Sequence, residues 1–149
     1  MNIFVISNSP AECAQSLDDK RLVKMTLETT QILSTVMHLS GYTGPYKITH
    51  QNHPVVKWAA ENDSNFKWTV SLLKELCKEY TFRYDKTHKC QFYTAIFDTV
   101  SLRKGTISEF ADCSNSEGKD IYSRYKNCLI NKWKNDKRPP KWTYSNKPF

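Results

Sequence analysis

Polar and apolar positions between residues 17 and 40 follow the clearest periodic pattern in the chain. Polar side chains recur there every three or four residues, which places them on one face of an α-helix. They are Lys20, Lys24, Glu28, Gln31, Thr35 and His38. The other face is apolar and consists of Leu22, Val23, Leu27, Ile32, Leu33, Val36 and Met37. The pattern predicts a long helix that Asp18 or Asp19 caps and that ends at Ser40-Gly41.

Helix-start signals precede three other segments in the first half of the chain. Ser9-Pro10-Ala11-Glu12 combines a capping serine, a proline at the first helical position and a glutamate three residues after the serine. His53-Pro54 opens a second short helix, because proline is favoured in a first turn. Asp63 or Ser64 is then expected to cap a long helix, whose apolar side chains keep helical spacing as far as residue 84.

The remaining segments complete the predicted order of elements. Residues 1–7 are apolar and β-branched and are expected to be extended and buried. Residues 90–102 carry a helical pattern of Phe92, Ile96, Phe97 and Val100, whereas residues 104–119 are rich in Gly, Ser, Asn and Asp and indicate a loop. Asp120 caps a last helix, which ends before Arg138-Pro139-Pro140. Its inward positions are Ile121, Tyr125, Cys128, Leu129 and Trp133.

These elements predict an all-α fold, a compact single domain over residues 1–149. We expect a bundle of about five or six helices, with a short extended N-terminal segment and a basic aromatic C-terminal tail. Hydrophobic residues make up 39% of the chain and charged residues 25%, which indicates a globular protein. No apolar run approaches the ~18 residues of a membrane-spanning helix. We therefore expect a cytoplasmic protein without a membrane partner.

The cysteines and histidines do not form a recognisable framework. The five cysteines are scattered and include no Cys-x-x-Cys pair, so a set of disulfides is not expected. His50-x-x-His53 and His88-Lys89-Cys90 contain metal-binding residue types, but their spacing matches no strong zinc pattern. The sequence therefore predicts neither a metal nor another cofactor.

The net charge of +7 is concentrated at the C-terminal end. Residues 119–149 hold nine basic and two acidic side chains, whereas the preceding residues are balanced. Such a segment is typical of a surface that meets a polyanion, and its interleaved aromatic residues favour nucleic acid. Trp133, Trp142 and Tyr144 are the candidates for stacking on bases. The alternative is a tail that serves only solubility.

Lys20, Lys24 and Glu28 lie one helical turn apart and could act as an amine–carboxylate pair. Such a pair can break a glycosidic bond through a covalent imine, with the amine as nucleophile and the carboxylate stabilising charge and moving protons. A lysine, with an ordinary pKa near 10.4, needs burial or a neighbouring cation before it can serve as the amine. The alternative is a solvent-exposed face with a weak ion pair. Asn52, His53 and Trp58 are further candidates for lining the site.

Three segments resemble one family in their order along the chain. They are Asp19-Lys20-Arg21-Leu22-Val23 with Glu28, Asn52-His53-Pro54, and Arg138-Pro139-Pro140-Lys141-Trp142-Thr143-Tyr144. Together they resemble the pyrimidine-dimer DNA glycosylases typified by phage endonuclease V, which are all-helical and of similar size. The chain is also similar to a group of small phage proteins that carry Asp-Lys-x-x-Val-Lys-Met and Asn-His-Pro segments. This resemblance implies a protein of a phage-infected host cell.

The resemblance also implies roles for individual residues. Glu28 matches the catalytic glutamate of the family, and Arg21 falls where the family has a histidine near the lesion. Leu27 and Gln31 fall where the family has DNA-binding arginines, so those contacts are absent. The segment from Arg138 to Tyr144, including Lys141 and Trp142, matches a stretch near the DNA.

The N-terminus departs from the family pattern. The nucleophile of the family is the α-amine of a small residue that is exposed when the initiator methionine is removed. Here the second residue is the bulky Asn2, before which methionine is usually kept, so the amine available is that of Met1. This departure removes the usual nucleophile and leaves open whether an amine or water attacks.

Three functional hypotheses follow from these features. The first is a DNA N-glycosylase that removes a damaged or modified pyrimidine, with or without strand-cleaving lyase activity, and uses Glu28 as its catalytic carboxylate. The second is a non-catalytic phage protein that binds nucleic acid through residues 119–149. The third is a phage protein that binds or cleaves a free nucleotide, such as a signalling nucleotide.

Overall fold

The computed structural model describes all residues from 1 to 149 and confirms an all-helical fold. It contains six α-helices, one 3-10 helix and no strand. The α-helices are α1 (Pro10–Ser16), α2 (Asp19–Leu39), α3 (Pro54–Ala60), α4 (Asp63–Tyr84), α5 (Thr94–Asp98) and α6 (Ile121–Asn135), and the 3-10 helix is Lys89–Tyr93. No helix combines the length and the hydropathy that a membrane crossing requires.

Side-chain caps set the N-terminal ends of the helices. Ser9, Asp18, His53 and Asp120 each accept a hydrogen bond from a backbone N–H in the first turn of α1, α2, α3 and α6. These four caps are the ones predicted from the sequence. At the other end of α2, Gly41 adopts a φ of 87°, a left-handed conformation that favours glycine after a helix.

The predicted cap of α4 was wrong by one residue. Asn62 caps this helix by accepting a hydrogen bond from the N–H of Asn65 over 2.9 Å. Asp63, the predicted cap, lies inside the first turn, where its side chain pairs with Lys67 and accepts a hydrogen bond from the N–H of Leu102. The acidic side chain therefore connects the helix to the chain that follows α5.

The long helices α2 and α4 form the centre of the bundle, with α3 against α2 and α1 against α4. Leu22, Ile32, Leu33 and Val36 of α2 are fully buried, as the apolar pattern predicted. Val23 was predicted to face inward, but it is 40% exposed, because the buried face of α2 is wider on its threonine side. That side consists of Thr26, Thr29, Thr30, Ser34 and Thr35.

Residues 90–102 do not form the continuous helix that their pattern predicted. The 3-10 helix and α5 together end at Asp98. Phe97 and Val100 are buried as predicted, but Phe92 is 74% and Ile96 41% exposed. The change from 3-10 to α geometry alters the number of residues per turn, so the four apolar positions do not share one face.

The N-terminal segment is buried but forms no strand, because no other strand is present to pair with it. Ile3, Phe4, Val5 and Ile6 all belong to the core. Phe4 has a φ of 44°, so the backbone turns there instead of continuing extended. Its ring packs edge-on against Tyr125 of α6, with the ring centroids 6.4 Å apart. The segment thereby brings residue 1 to the side of α2.

Candidate active site

Glu28 lies in the middle of α2 with its side chain largely shielded from solvent. The side chain is 17% exposed. Its Oε2 atom is buried and has no hydrogen-bond partner, and the same is true of the Oγ1 atom of neighbouring Thr29. A buried carboxylate oxygen without a partner is costly for folding and is most often kept where it contacts a ligand.

The α-amine of Met1 lies beside this carboxylate. Its nitrogen is 4.0 Å from Oε1 of Glu28, within ion-pair range but too far for a direct hydrogen bond. The Met1 side chain is only 2% exposed, so this end of the chain is packed against the body of the protein. The structure thus brings together an amine and a carboxylate, the two groups that the imine chemistry needs.

His53 is close enough to Met1 for the charge of the amine to affect its ring. Burial lowers the pKa of His53, and the positive charges of the Met1 amine and of His50 lower it further. Nδ1 of His53 accepts a hydrogen bond from the N–H of Val55, which leaves Nε2 as the proton-bearing nitrogen of the neutral ring. His53 is therefore a neutral neighbour of the amine at pH 7.

Buried hydroxyls of α2 hold the chain that leads to these histidines. Ser34 donates a hydrogen bond to the carbonyl of Tyr46 and accepts one from its N–H, over 2.7 and 2.8 Å. Thr35 makes the same reciprocal pair with Thr49, over 3.2 and 3.1 Å. Because Thr35 and Glu28 lie on the same helix, these bonds fix the approach of His50 to the amine–carboxylate pair.

Lys20 and Lys24 are both exposed, so neither has the low-dielectric surroundings that the lysine hypothesis requires. Lys20 instead borders a groove of about 340 Å³ that Arg138 and Lys141 also line. The two acidic residues of this groove, Asp18 and Asp19, are engaged in hydrogen bonds with α6 and the C-terminal segment. The three cations therefore form a basic groove at the N-terminal end of α2.

Several predicted site residues lie away from this groove or from Glu28. Trp58 is 4% exposed and packs on Trp68 and Phe110 in the core. Asn52 is exposed at the start of α3, and Gln31 is half-buried on the next turn after Glu28.

The aromatic residues of the C-terminal segment divide between core and surface. The indole N–H of Trp142 donates to the carbonyl of Ser16 over 3.1 Å, and its ring packs on Trp133, which is 5% exposed. Tyr144, in contrast, is 79% exposed and lies edge-on to Phe82. Of the three aromatic candidates for stacking, Tyr144 alone presents most of its ring to solvent.

Two neighbours of the Met1 amine were not predicted from the sequence. The amide of Asn2 donates to the carbonyl of Cys113 over 3.4 Å. Burial raises the pKa of the Cys113 thiol, and the Met1 amine is among the groups that lower it. No local signal identifies this contact, because Asn2 and Cys113 are 111 residues apart in the sequence.

Comparison with known proteins gives one match. The family model described as pyrimidine dimer DNA glycosylase matches residues 1–92, which include Met1, Glu28 and His53. No curated protein and no solved structure matches the chain. The structure contains no group of three or more His, Cys, Asp or Glu side chains arranged to hold a metal ion.

Proposed function

Because the chain belongs to the pyrimidine dimer DNA glycosylase family, we propose that it releases a damaged or modified pyrimidine from DNA, with the Met1 amine as nucleophile and Glu28 as catalytic carboxylate. The observation that carries the proposal is the 4.0 Å distance from the Met1 nitrogen to Oε1 of Glu28. It provides an amine where the family chemistry needs one, although the second residue differs from the family pattern.

In the proposed reaction, the lone pair of the Met1 nitrogen attacks C1′ of the sugar. The bond from C1′ to the pyrimidine breaks, and the base leaves with its electron pair and takes a proton from solvent. The amine then loses a proton to Glu28, which passes it to O4′ as the sugar ring opens. An imine now joins the Met1 nitrogen to C1′.

The same carboxylate can complete the reaction. Glu28 accepts a proton from C2′, and elimination of the 3′ phosphate cleaves the strand. Water then hydrolyses the imine and frees the Met1 amine. The distance of 4.0 Å allows a proton to pass through one bridging water, and the shielding of Glu28 strengthens its interaction with developing positive charge.

The basic groove offers a path for the DNA backbone. Lys24 and Lys20 lie one and two turns from Glu28 on the same face of α2, which is about 6 and 12 Å along the helix axis. Beyond Lys20 are Arg138 and Lys141, which line the groove with it. This line of cations supports phosphate contacts that extend from the reacting sugar towards the C-terminal segment.

The test uses ultraviolet-irradiated duplex DNA under single-turnover conditions. Wild-type protein is expected to release the base and to form a covalent adduct when borohydride reduces the imine. Glu28→Gln, which keeps size and removes the charge, should slow base release about 1,000-fold. Glu117→Gln is the matched control, because Glu117 is an exposed glutamate of the loop before α6.

Each alternative gives a different result in this experiment. Base release without a trapped adduct would assign the nucleophile to water that Glu28 activates. Binding of DNA without any product would support the non-catalytic hypothesis instead. A Glu28→Gln variant as fast as wild type would remove Glu28 from the catalytic machinery.

A further inference from the structure

The side chain of Asn2 folds back onto its own backbone. Its Oδ1 atom accepts hydrogen bonds from the N–H groups of Ile3 and Phe4, over 2.8 and 3.0 Å. This arrangement makes a tight turn immediately after Met1. Phe4, at the end of the turn, has a φ of 44°, which costs a non-glycine residue conformational energy.

The other end of the Asn2 amide is tied to a distant part of the chain. Nδ2 donates to the carbonyl of Cys113. Tyr125, fully buried in α6, in turn fixes the loop that carries Cys113. Its hydroxyl accepts from the N–H of Cys113 over 3.0 Å and donates to the carbonyl of Ala111 over 2.8 Å. A continuous series of hydrogen bonds therefore runs from α6 to the residue that follows Met1.

We infer that Asn2 is a positioning residue, whose amide fixes the first turn of the chain so that the Met1 amine lies at Glu28. The inference rests on the proposed function and extends it to a residue that does not touch the substrate. Removal of Met1 would move the terminal amine by about 3.8 Å, the length of one residue. The turn thus matches the geometry of a chain that keeps Met1.

Asn2→Leu is the sharpest variant, because leucine has nearly the same shape and lacks both polar atoms. Its bulk also favours retention of Met1, which N-terminal sequencing of the purified protein would verify. We expect base release and borohydride trapping to fall about 100-fold, since a displacement of about 1 Å has an effect of this size. The dissociation constant for lesion-containing DNA should change by less than roughly twofold, because the DNA-binding surface is intact.

Asn2→Asp is the matched control, because it keeps the oxygen that accepts from Ile3 and Phe4. It should recover at least about tenfold of the rate lost in Asn2→Leu. A peptide map of the wild-type adduct should place the reduced sugar on the α-nitrogen of Met1.

Three results would overturn the inference while the proposed function stands. The first is an Asn2→Leu rate equal to that of an active wild-type protein. The second is a parallel loss of rate, DNA affinity and melting temperature in both variants, which would make Asn2 a purely structural residue. The third is an adduct on another nitrogen, or a purified active protein that lacks Met1. A wild-type protein that releases no base would instead overturn the proposed function itself.

Discussion

Arg21 of α2 and Asp136, at the C-terminal end of α6, form a two-pronged ion pair. The two guanidinium nitrogens of Arg21 donate to the two carboxylate oxygens of Asp136 over 2.8 and 3.0 Å. A third hydrogen bond joins Arg21 to Asp18, which also accepts from the indole N–H of Trp133. The resemblance implies a place near the lesion for Arg21, but here its guanidinium connects the first long helix to the last.

Arg21→Ala should therefore act mainly on stability. It leaves Asp136 and the buried Asp18 without their cation, and loss of one partner of a buried pair costs about 3 kcal/mol. The free energy of unfolding, measured by urea denaturation, should fall by this amount. The single-turnover rate of the folded fraction should stay near that of wild type.

Arg21→Lys provides a second reading of the same pair. Lysine keeps the charge but cannot make the two parallel bonds, so its stability should lie between those of wild type and Arg21→Ala. A large loss of base release in a fully folded Arg21→Ala protein would contradict the structural role and place Arg21 at the lesion.

Local signals predicted most of the helix boundaries. Ser9 with Pro10, and His53 with Pro54, specify a cap and a first turn within a few residues, so no distant contact is needed to recognise them. The predicted helix over residues 90–102 failed for the opposite reason. Phe92 and Ile96 keep helical spacing in the sequence, but the 3-10 turn between them and the core changes which side chains face inward.

The candidate site depends on contacts that join distant parts of the sequence. The resemblance implied the role of Glu28, and inspection of Asn2 indicated that Met1 is kept. Neither observation predicted that the Met1 amine would lie against Glu28, because the turn at Phe4 and the anchor at Cys113 arise only in the folded chain. A pattern along one helix cannot report a contact that spans 111 residues.

Trp142 and Tyr144 should respond differently to the same substitution. Trp142→Ala removes a half-buried indole that packs on Trp133 and bonds to Ser16, so the free energy of unfolding should fall by about 2 kcal/mol. Tyr144→Ala removes an exposed ring and should change stability by less than about 0.5 kcal/mol. If its ring stacks on a base, DNA affinity should fall about tenfold in binding titrations.

The comparison of the two variants tests the assignment directly. Equal effects on stability would contradict the division between core and surface in the C-terminal segment. An unchanged DNA affinity in Tyr144→Ala would exclude its ring from the DNA interface.

Stability should depend on pH through His88, which caps the 3-10 helix and is 9% exposed. Burial lowers its pKa, and the charge of Lys89 lowers it further. The unfolded chain, whose histidines titrate near pH 6.5, then binds more protons than the folded protein. Stability is therefore complete above about pH 6.5 and is lost as the pH falls towards the lowered value in the folded state.

Urea denaturation between pH 7.5 and pH 5 would measure this dependence. His88→Asn keeps an acceptor for the N–H of Cys90 and removes the titrating ring, so its stability should fall less steeply with pH than that of wild type. His53 contributes a slope of the same sign, because its pKa is also lowered, and this slope should remain in the variant. An unchanged slope in His88→Asn would contradict the prediction.

The basic groove should determine how strongly DNA binding depends on salt. If Lys141 contacts one phosphate, Lys141→Ala should reduce the slope of log affinity against log salt concentration by about 0.9. The loss of affinity should be similar for irradiated and intact duplexes, because a phosphate contact carries no information about the base. Lys20→Ala and Arg138→Ala should behave in the same way, since both side chains line the same groove.

Lys67→Ala is the matched control for charge. Lys67 is an exposed lysine of α4 that pairs with Asp63, and it is absent from the basic groove. Its removal lowers the net charge by the same amount, so a general electrostatic attraction would give Lys67→Ala and Lys141→Ala equal slopes. A slope that changes only in the three groove variants would instead require phosphates to lie beside α2, on the same helix face that carries Glu28.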